Sequence, residues 1–175
     1  MGFDKGELNF HGKTQRLFLA ELMKKFCQDV FVSTKEPINE AGIECLVDEY
    51  QIESPLNGIL TAFGRNSESA WLTIPVDMPG IDEEFISILI SNRDQKAIAT
   101  CFRDEDGEKP EPLVTIWEPR AYSLLKKFFD DGNISPREFL MNNNCKILPS
   151  PGKRFHLNIN TPEEMNEFSK QNQRE

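Results

Sequence analysis

Apolar and polar positions follow two different periods along this chain, and the period changes from segment to segment. Leu17, Leu22, Met23 and Phe26 recur at helical spacing and predict a first helix from Thr14 to Cys27. Further helices are predicted over 54–63, 82–91, 119–130, 135–142 and from 162 onward; strands are predicted over 29–33, 43–47, 70–76, 97–102, 113–117, 145–148 and 155–159. Because helical and extended patterns alternate, we expect an α/β fold built in layers.

The strand at 70–76 carries the most informative position. Its sequence is almost continuously apolar, which is typical of a strand covered on both faces, and Asp77 follows it directly. Open α/β sheets bind ligands beyond the carboxyl ends of their strands, so Asp77 could hold a metal-bound nucleotide. The residues alone leave a second interpretation open, in which Asp77 only caps the turn that follows.

Composition and charge narrow the class of protein. With 175 residues and 38% hydrophobic content, we expect a single domain over residues 1–175. The net charge of −9 disfavours a nucleic-acid partner and means that an anionic ligand needs a metal or a few lysines. No apolar run approaches the ~20 residues that span a bilayer, and the N-terminal residues are unlike a signal peptide. We therefore expect a soluble, cytoplasmic protein without a membrane partner.

Cysteine and histidine do not form a recognisable catalytic or zinc-binding pattern. Cys27, Cys45, Cys101 and Cys145 are scattered without a C-x-x-C pair, which favours buried free thiols. The two histidines have no partner at a spacing typical of a nucleophilic triad. Any catalysis is therefore expected to depend on electrostatics and on the positioning of substrates.

Three other segments are candidates for binding anions. Asn158 and Asn160 lie two apart on a predicted strand, so that both amides point to one face. Lys5 lies between glycines near the N-terminus, and a helix with free N–H groups is predicted to start at Ser54. Each feature also has a plain structural interpretation, as a turn cap, a solvated lysine and an ordinary helix start.

Taken in order, several short motifs resemble those of the molybdenum cofactor guanylyltransferases, within the wider nucleotidyltransferase group. They cover nearly the whole chain and comprise Met1-Gly2-Phe3-Asp4-Lys5, Gly12, Asp48, Pro55-Leu56-Asn57-Gly58-Ile59-Leu60, Pro75-Val76-Asp77-Met78-Pro79, Pro110-Glu111-Pro112 and Asn158-Ile159-Asn160-Thr161-Pro162-Glu163-Glu164. The resemblance implies a three-layer Rossmann-like nucleotidyltransferase fold with a mostly parallel sheet. It also favours Asp77 as the carboxylate that binds metal.

The resemblance further implies transfer of GMP from GTP to molybdopterin, with Mg²⁺ as cofactor and release of pyrophosphate. Other proteins of molybdenum cofactor synthesis are expected as further partners. Lys5 and Asp77 are the implied catalytic residues, with Asp77 holding the metal. The implied nucleotide-binding set is Lys5, Ser33, Asp48, Pro55, Leu56, Gly58 and Asp77. The implied residues on the pterin and phosphate side are Asn158 and Asn160.

The sequence departs from the family pattern in two places. The family motif Gly-Gly-x-Ser-x-Arg would lie ahead of Met1 together with a strand that occupies the middle of the sheet, between 29–33 and 70–76. We therefore expect Met1 to be internal to a longer reading frame, or a chosen boundary, and two strand edges to lack partners. On its own, this chain should be impaired in transfer. Glu111, where relatives often have histidine, affects the pterin side only.

Two alternatives remain open at this stage. Asp77 and Lys5 would also serve a cytidylyltransferase or a sugar-phosphate nucleotidyltransferase. A non-catalytic nucleotide-binding or partner-binding module derived from the enzyme is the alternative from a different class. The codons ahead of Met1 would distinguish the enzyme from the module, because only the enzyme needs the phosphate loop there.

Overall fold

The computed structural model describes residues 5–8, 12–104, 106–150 and 152, and all structural statements below concern these residues. The helices are α1 (Gln15–Met23), α2 (Leu56–Arg65), α3 (Glu83–Ser91), α4 (Ala121–Asp130) and α5 (Pro136–Met141), preceded by a 3-10 helix at Lys5–Glu7. The strands are β1 (Val32–Thr34), β2 (Cys45–Val47), β3 (Trp71–Thr73), β4 (Ala99–Arg103), β5 (Pro110–Trp117) and β6 (Cys145–Leu148). The strand predicted at 155–159 and the last predicted helix lie outside the described residues.

Side-chain caps explain why the helices begin where they do. Thr14, Asp82 and Ser135 accept hydrogen bonds from the backbone amides three residues ahead, at 3.3, 2.9 and 3.2 Å. Ser54 accepts from the amide of Leu56 at 3.1 Å, and α2 begins two residues after Ser54. The helix starts predicted from the sequence are therefore confirmed to within two residues.

The strands form two separate sheets. Four strands pair in the order β3-β5-β4-β6, while β1 and β2 form a parallel pair of their own. The α/β class is confirmed, and the larger sheet is mixed because β5 runs antiparallel to both of its neighbours. The charged loop before β5 accounts for its pairing with β4: the Asp104 amide donates to the carbonyl of Lys109 at 2.7 Å, which closes a hairpin rather than a crossover.

Two apolar clusters lie on opposite faces of the larger sheet. One cluster joins α1 and α3 to side chains such as Phe102 and Ile116, and the other joins α2, α4 and α5 to Cys101 and Trp117. Neighbouring residues on β4 point into different clusters because side chains alternate along a strand. The result is three layers, helix, sheet and helix. One domain over residues 1–175 stays a prediction.

A slot separates the two sheets. Between β1 and β3 lies a cavity of about 1020 Å³, lined by residues 30–33 on one side, residues 70–77 on the other, and the helices α1 and α2. We call this cavity the slot. Phe31 and Trp71 contact each other across it, with ring centroids 6.1 Å apart. Because β3 borders the slot, its residues are half-buried. The strand ends at Thr73, three residues earlier than predicted.

Candidate functional site

The predicted nucleotide residues Ser33 and Asp48 are in direct contact at one end of the slot. Ser33 lies in β1 and Asp48 follows β2, and the parallel register brings Thr34 opposite Val47. The Ser33 hydroxyl donates to Oδ1 of Asp48 at 2.6 Å. A carboxylate can accept several hydrogen bonds, so this contact orients Asp48 while leaving it acceptor capacity.

The start of α2 lies beside Ser33 and Asp48. It can approach them closely because Gly58 has no side chain. A Cβ at Gly58 would lie 2.4 Å from the Ser33 hydroxyl and 3.7 Å from Oδ1 of Asp48. The shorter distance is below any real contact, so a side chain at this position would displace Ser33. Gly58 therefore lies directly against Ser33, and its role in nucleotide binding stays a prediction.

Asn57 fixes the polar link between β2 and α2, a role that sequence reasoning missed. Its side chain is almost fully buried; its Oδ1 accepts from the amide of Tyr50 at 3.0 Å, and its Nδ2 donates to the carbonyl of Ile52 at 3.4 Å. Thr61 accepts from the Glu49 amide at 3.0 Å. These bonds hold the chain that follows Asp48 against α2. An asparagine among the apolar residues at the start of α2 was the available signal.

Pro55 and Leu56 face different surroundings. Pro55 lines the slot together with Ser33, Asp48, Gly58 and Asp77. Leu56 is fully buried in the cluster under α2, so its side chain is not presented to a ligand. A contact from Leu56 to a nucleotide stays a prediction that could involve only its backbone.

Asp77 lies where the slot meets a second cavity of about 580 Å³. Across that cavity, the Arg137 guanidinium lies 3.3 Å from Oδ2 of Asp104 and 3.5 Å from Oε2 of Glu111. Partial burial alone would raise the pKa of the Asp104 carboxyl. Hydrogen bonds from the backbone of Lys109 and Glu108 and the charge of Arg137 nevertheless hold this pKa below its ordinary value. Sequence reasoning missed Arg137, because only the fold brings it to Glu111.

The arginines that line the slot are already engaged by carboxylates. Arg16 pairs with Glu40 at 2.9 Å between Nε and Oε2, and Arg65 pairs with Glu44 at 3.3 Å. The Arg93 guanidinium contacts both oxygens of the buried Glu118, at 2.6 and 2.8 Å. A triphosphate in the slot therefore needs another source of positive charge.

The donor set suits a metal that is held jointly by the protein and a ligand. Within the part of the chain that the structure describes, no three His, Cys, Asp or Glu side chains converge to form a metal cage. Asp77 would thus share a metal with a bound ligand rather than with two further protein ligands of these types. Mg²⁺ is commonly bound in this way, through one or two carboxylates together with substrate phosphates and water.

Three predicted site residues cannot be compared with this geometry. The backbone of Lys5 lies in the 3-10 helix, and its side chain is outside the described part of the structure. Asn158 and Asn160 lie outside the described residues altogether. Their roles stay predictions. Over the described ranges, the helices are too short or too polar to cross a membrane.

Sequence comparisons with known proteins agree on one family. The family described as "MobA-like NTP transferase domain" matches residues 1–145. A "Molybdenum cofactor biosynthesis bifunctional protein" of Synechocystis is 30% identical over 97% of the chain, which spans only 50% of that relative's length. A "Molybdenum cofactor guanylyltransferase" of Shewanella sediminis is 23% identical, with 96% of this chain and 88% of that one covered.

Solved structures share the fold. Molybdopterin-guanine dinucleotide biosynthesis protein A from Archaeoglobus fulgidus superimposes with a TM-score of 0.77 at 19% identity, covering 99% of this chain and 93% of that one. A CMP:2-keto-3-deoxy-manno-octonic acid synthetase complexed with CTP gives a TM-score of 0.73 at 12% identity, covering 97% and 92%. At these identities the likeness concerns the fold alone.

Proposed function

Because the chain belongs to the MobA-like NTP transferase domain family, a family of nucleotidyltransferases, we propose that it transfers GMP from GTP to molybdopterin with Mg²⁺ and releases pyrophosphate. One observation carries the proposal. Ser33, Asp48, Pro55, Gly58 and Asp77, which come from four separate segments of the sequence, line one cavity.

Guanine suits the end of the slot at Asp48. Guanine presents two adjacent N–H donors, at N1 and N2, and a carboxylate accepts such a pair. The Ser33 hydroxyl, 2.6 Å from Oδ1, holds the Asp48 carboxylate in one orientation. Cytosine offers a single amino group on this edge, so the same carboxylate should bind it less well. Asp48 is therefore proposed as the residue that discriminates between bases.

The phosphates are proposed to extend from the base toward Asp77. With the slot arginines held by Glu40, Glu44 and Glu118, Lys5 and a metal at Asp77 are the proposed sources of positive charge. When bound there, Mg²⁺ supplies neutralisation of the charge that accumulates on the triphosphate. Lys5 is proposed to contact the nucleotide phosphates as a point charge.

The second cavity is proposed to receive the acceptor. It shares Pro55, Pro75, Asp77 and Leu113 with the slot, so that a ligand in each cavity would meet at Asp77. A terminal phosphate oxygen of molybdopterin would attack the α-phosphorus of GTP. The bond to the bridging oxygen would break, and pyrophosphate would leave with that oxygen. Asn158 and Asn160 are proposed to contact the acceptor phosphate or the metal.

Calorimetry with Mg²⁺ and GTP, CTP or ATP tests the proposal. We expect GTP to bind more tightly than either other nucleotide, and binding to weaken when Mg²⁺ is chelated. Equal affinity for the three nucleotides would remove the guanylyl assignment while leaving the transferase class in place.

A pair of variants tests the role of Asp77. Asp77→Asn keeps the shape of the side chain and should abolish the Mg²⁺ dependence of GTP binding; transfer should fall by ~10². Asp131→Asn, at the exposed end of α4, is the matched control and should change neither quantity. Unchanged Mg²⁺ dependence in Asp77→Asn would mean that the carboxylate only caps a turn.

A further inference from the structure

The second cavity is lined by more negative than positive side chains. Asp77, Asp104, Asp106 and Glu111 line it, whereas Arg137 is the one basic side chain that the described residues contribute to its lining. Negative charge at such a site repels an anion and attracts a group that presents N–H donors. The phosphate of the acceptor is therefore best placed at a metal on Asp77, and the rest of the cavity suits a part of the acceptor that carries donors.

Two of these carboxylates are occupied in other ways. Oδ1 of Asp104 accepts from the amides of Glu108 and Lys109, at 3.1 Å each, and Oδ2 accepts from Arg137 at 3.3 Å. The Asp104 carboxylate thus closes the hairpin between β4 and β5. Asp106 is exposed in the same hairpin loop, where water solvates its carboxylate. Neither side chain is well suited to recognise a buried ligand.

Glu111 is the remaining carboxylate, since Asp77 is proposed to hold the metal. Its side chain is 16% exposed and belongs to β5, between two prolines that restrict the backbone. Oε1 accepts from the amide of Leu113 at 3.1 Å. Oε2 lies 3.5 Å from the Arg137 guanidinium, which pairs with its charge at longer than ordinary hydrogen-bond distance. Glu111 is therefore held in place and still has acceptor capacity.

The other walls of the second cavity suit a flat ring. Met78, Pro112, Leu113 and Pro136 line the cavity together with Glu111. The cavity has a volume of about 580 Å³. Sites for small organic ligands commonly have volumes of ~300–1,000 Å³ and combine apolar walls with a few polar groups that fix orientation. A heterocycle could bury its faces here while one edge meets the carboxylate.

A pterin ring presents the donors that a carboxylate accepts. Its N3–H and its 2-amino group lie side by side, as the corresponding groups of guanine do. Molybdopterin carries this ring at one end and its phosphate at the other. We propose that Glu111, held by the Leu113 amide and the charge of Arg137, binds the N–H edge of the pterin ring and determines which acceptor is used. This inference rests on the proposed function, because the acceptor is part of it.

Two small ring compounds test the proposal on the parent chain, without phosphate or nucleotide. Pterin (2-amino-4-oxopteridine) presents both donors, whereas lumazine carries an oxygen in place of the 2-amino group. We expect calorimetry to show that pterin binds about 10-fold more tightly, because lumazine turns an acceptor toward the carboxylate. Equal affinity for the two rings, or no binding of pterin, would overturn the proposal.

Glu111→Gln tests the residue itself. Glutamine keeps the length of the side chain and an oxygen that can accept from the Leu113 amide, but it replaces the second oxygen by a donor. The preference for pterin over lumazine should disappear, while the melting temperature stays unchanged. The affinity for GTP should also stay unchanged, because Glu111 does not line the slot. The matched control Glu108→Gln removes the same charge from an exposed position of the hairpin loop and should alter none of these quantities.

The slot is a competing site for pterin, because Asp48 is proposed to accept a similar pair of donors from guanine. GTP and Mg²⁺ added to the pterin-bound protein should therefore leave pterin in place. Displacement of pterin by GTP would assign pterin to the slot and would overturn the proposal. A preference for pterin that persists in Glu111→Gln would overturn it as well.

The GTP titration separates this inference from the proposed function. GTP binding without a preference for pterin would remove the role of Glu111 and leave the nucleotide side of the proposed function in place. A preference for pterin that depends on Glu111, in a chain that does not bind GTP, would remove the nucleotide side and support the pterin site.

Discussion

Two pairs of strands differ in how much of their surface is buried. The first pair is β4 and β5, and the second pair is β1 and β3. On β4 and β5, Ala99, Cys101 and Trp117 have no exposed surface, and both strands have neighbours on each side. All residues of β3 are half-buried, and among the described residues β1 and β3 each pair with one strand. We refer to these as the closed region and the open region. The candidate site belongs to the open region, so the closed region serves as the scaffold that positions it.

The largest expected difference between the regions is in the free energy of unfolding that is lost when a leucine is replaced by alanine. Leu125→Ala in the closed region removes a fully buried side chain and should lower the free energy of unfolding by about 3 kcal/mol. Leu72→Ala, the same change beside the slot, should cost about 1 kcal/mol, because the side chain is only partly covered. Urea unfolding measures both variants. Equal costs would contradict the distinction between the two regions.

The second-largest expected effect is the loss of stability on breaking the ion pair that joins the two regions. Glu118 follows β5 and its side chain is 3% exposed, whereas Arg93, which lines the slot, is 32% exposed. Arg93→Met leaves the buried carboxylate without its partner. We expect a loss of about 2 kcal/mol, below the full cost of breaking a buried pair because the guanidinium is partly solvated. The double variant with Glu118→Gln should recover part of this loss, and no recovery would argue against a coupled pair.

Alanine substitutions at two glycines of α2 are expected to change the stability of the protein in opposite directions. Gly58→Ala forces a Cβ against Ser33 and should destabilise the protein by about 1 kcal/mol and weaken GTP binding. Gly64→Ala, with its nearest neighbour 3.9 Å away, should stabilise the protein by up to about 1 kcal/mol through helix propensity and leave binding unchanged. Thermal unfolding and calorimetry report both quantities. If Gly58→Ala also stabilised the protein, the close approach to Ser33 would be disproved.

The smallest expected effect is on thiol chemistry and leaves stability untouched. Burial raises the pKa of Cys101 in the closed region to about 12, and it raises the pKa of Cys27, which lines the slot. Both shifts favour the thiol over the thiolate, but Cys27 is only partly covered. Ellman's reagent should therefore label Cys27 before Cys101, and Cys101 should react only on unfolding. Labelling of Cys101 at the rate of Cys27 would mean that the closed region opens readily.

Local signals predicted the helices well, because each helix start depends on residues within one turn. Thr14, Asp82 and Ser135 are examples in which the capping residue and the amide that it accepts from are three apart in sequence. Strand lengths were predicted less well. β5 begins at Pro110 rather than at residue 113, since its first residues are ordered by pairing across the hairpin with Arg103.

Contacts between distant segments account for what the sequence did not predict. Ser33, Asp48, Gly58 and Asp77 could be proposed as site residues from motif resemblance, and the fold brings all four to one cavity. Arg137 and Glu118 could not, because each depends on a partner at least 25 residues away. The burial of Leu56 was also missed, since a residue at the start of a helix can face either side.

The contact between Phe31 and Trp71 means that tryptophan fluorescence can report on the slot. The protein has two tryptophans, and they report on different regions. The Trp117 indole is fully buried and donates to Oγ1 of Thr73 at 3.1 Å, which should give a blue-shifted emission that acrylamide does not quench. Trp71 borders the slot and contacts Phe31, so a ligand that enters the slot would change its surroundings. Its emission should shift on binding while that of Trp117 stays constant, so the chain carries both a fluorescent reporter of the slot and an internal reference.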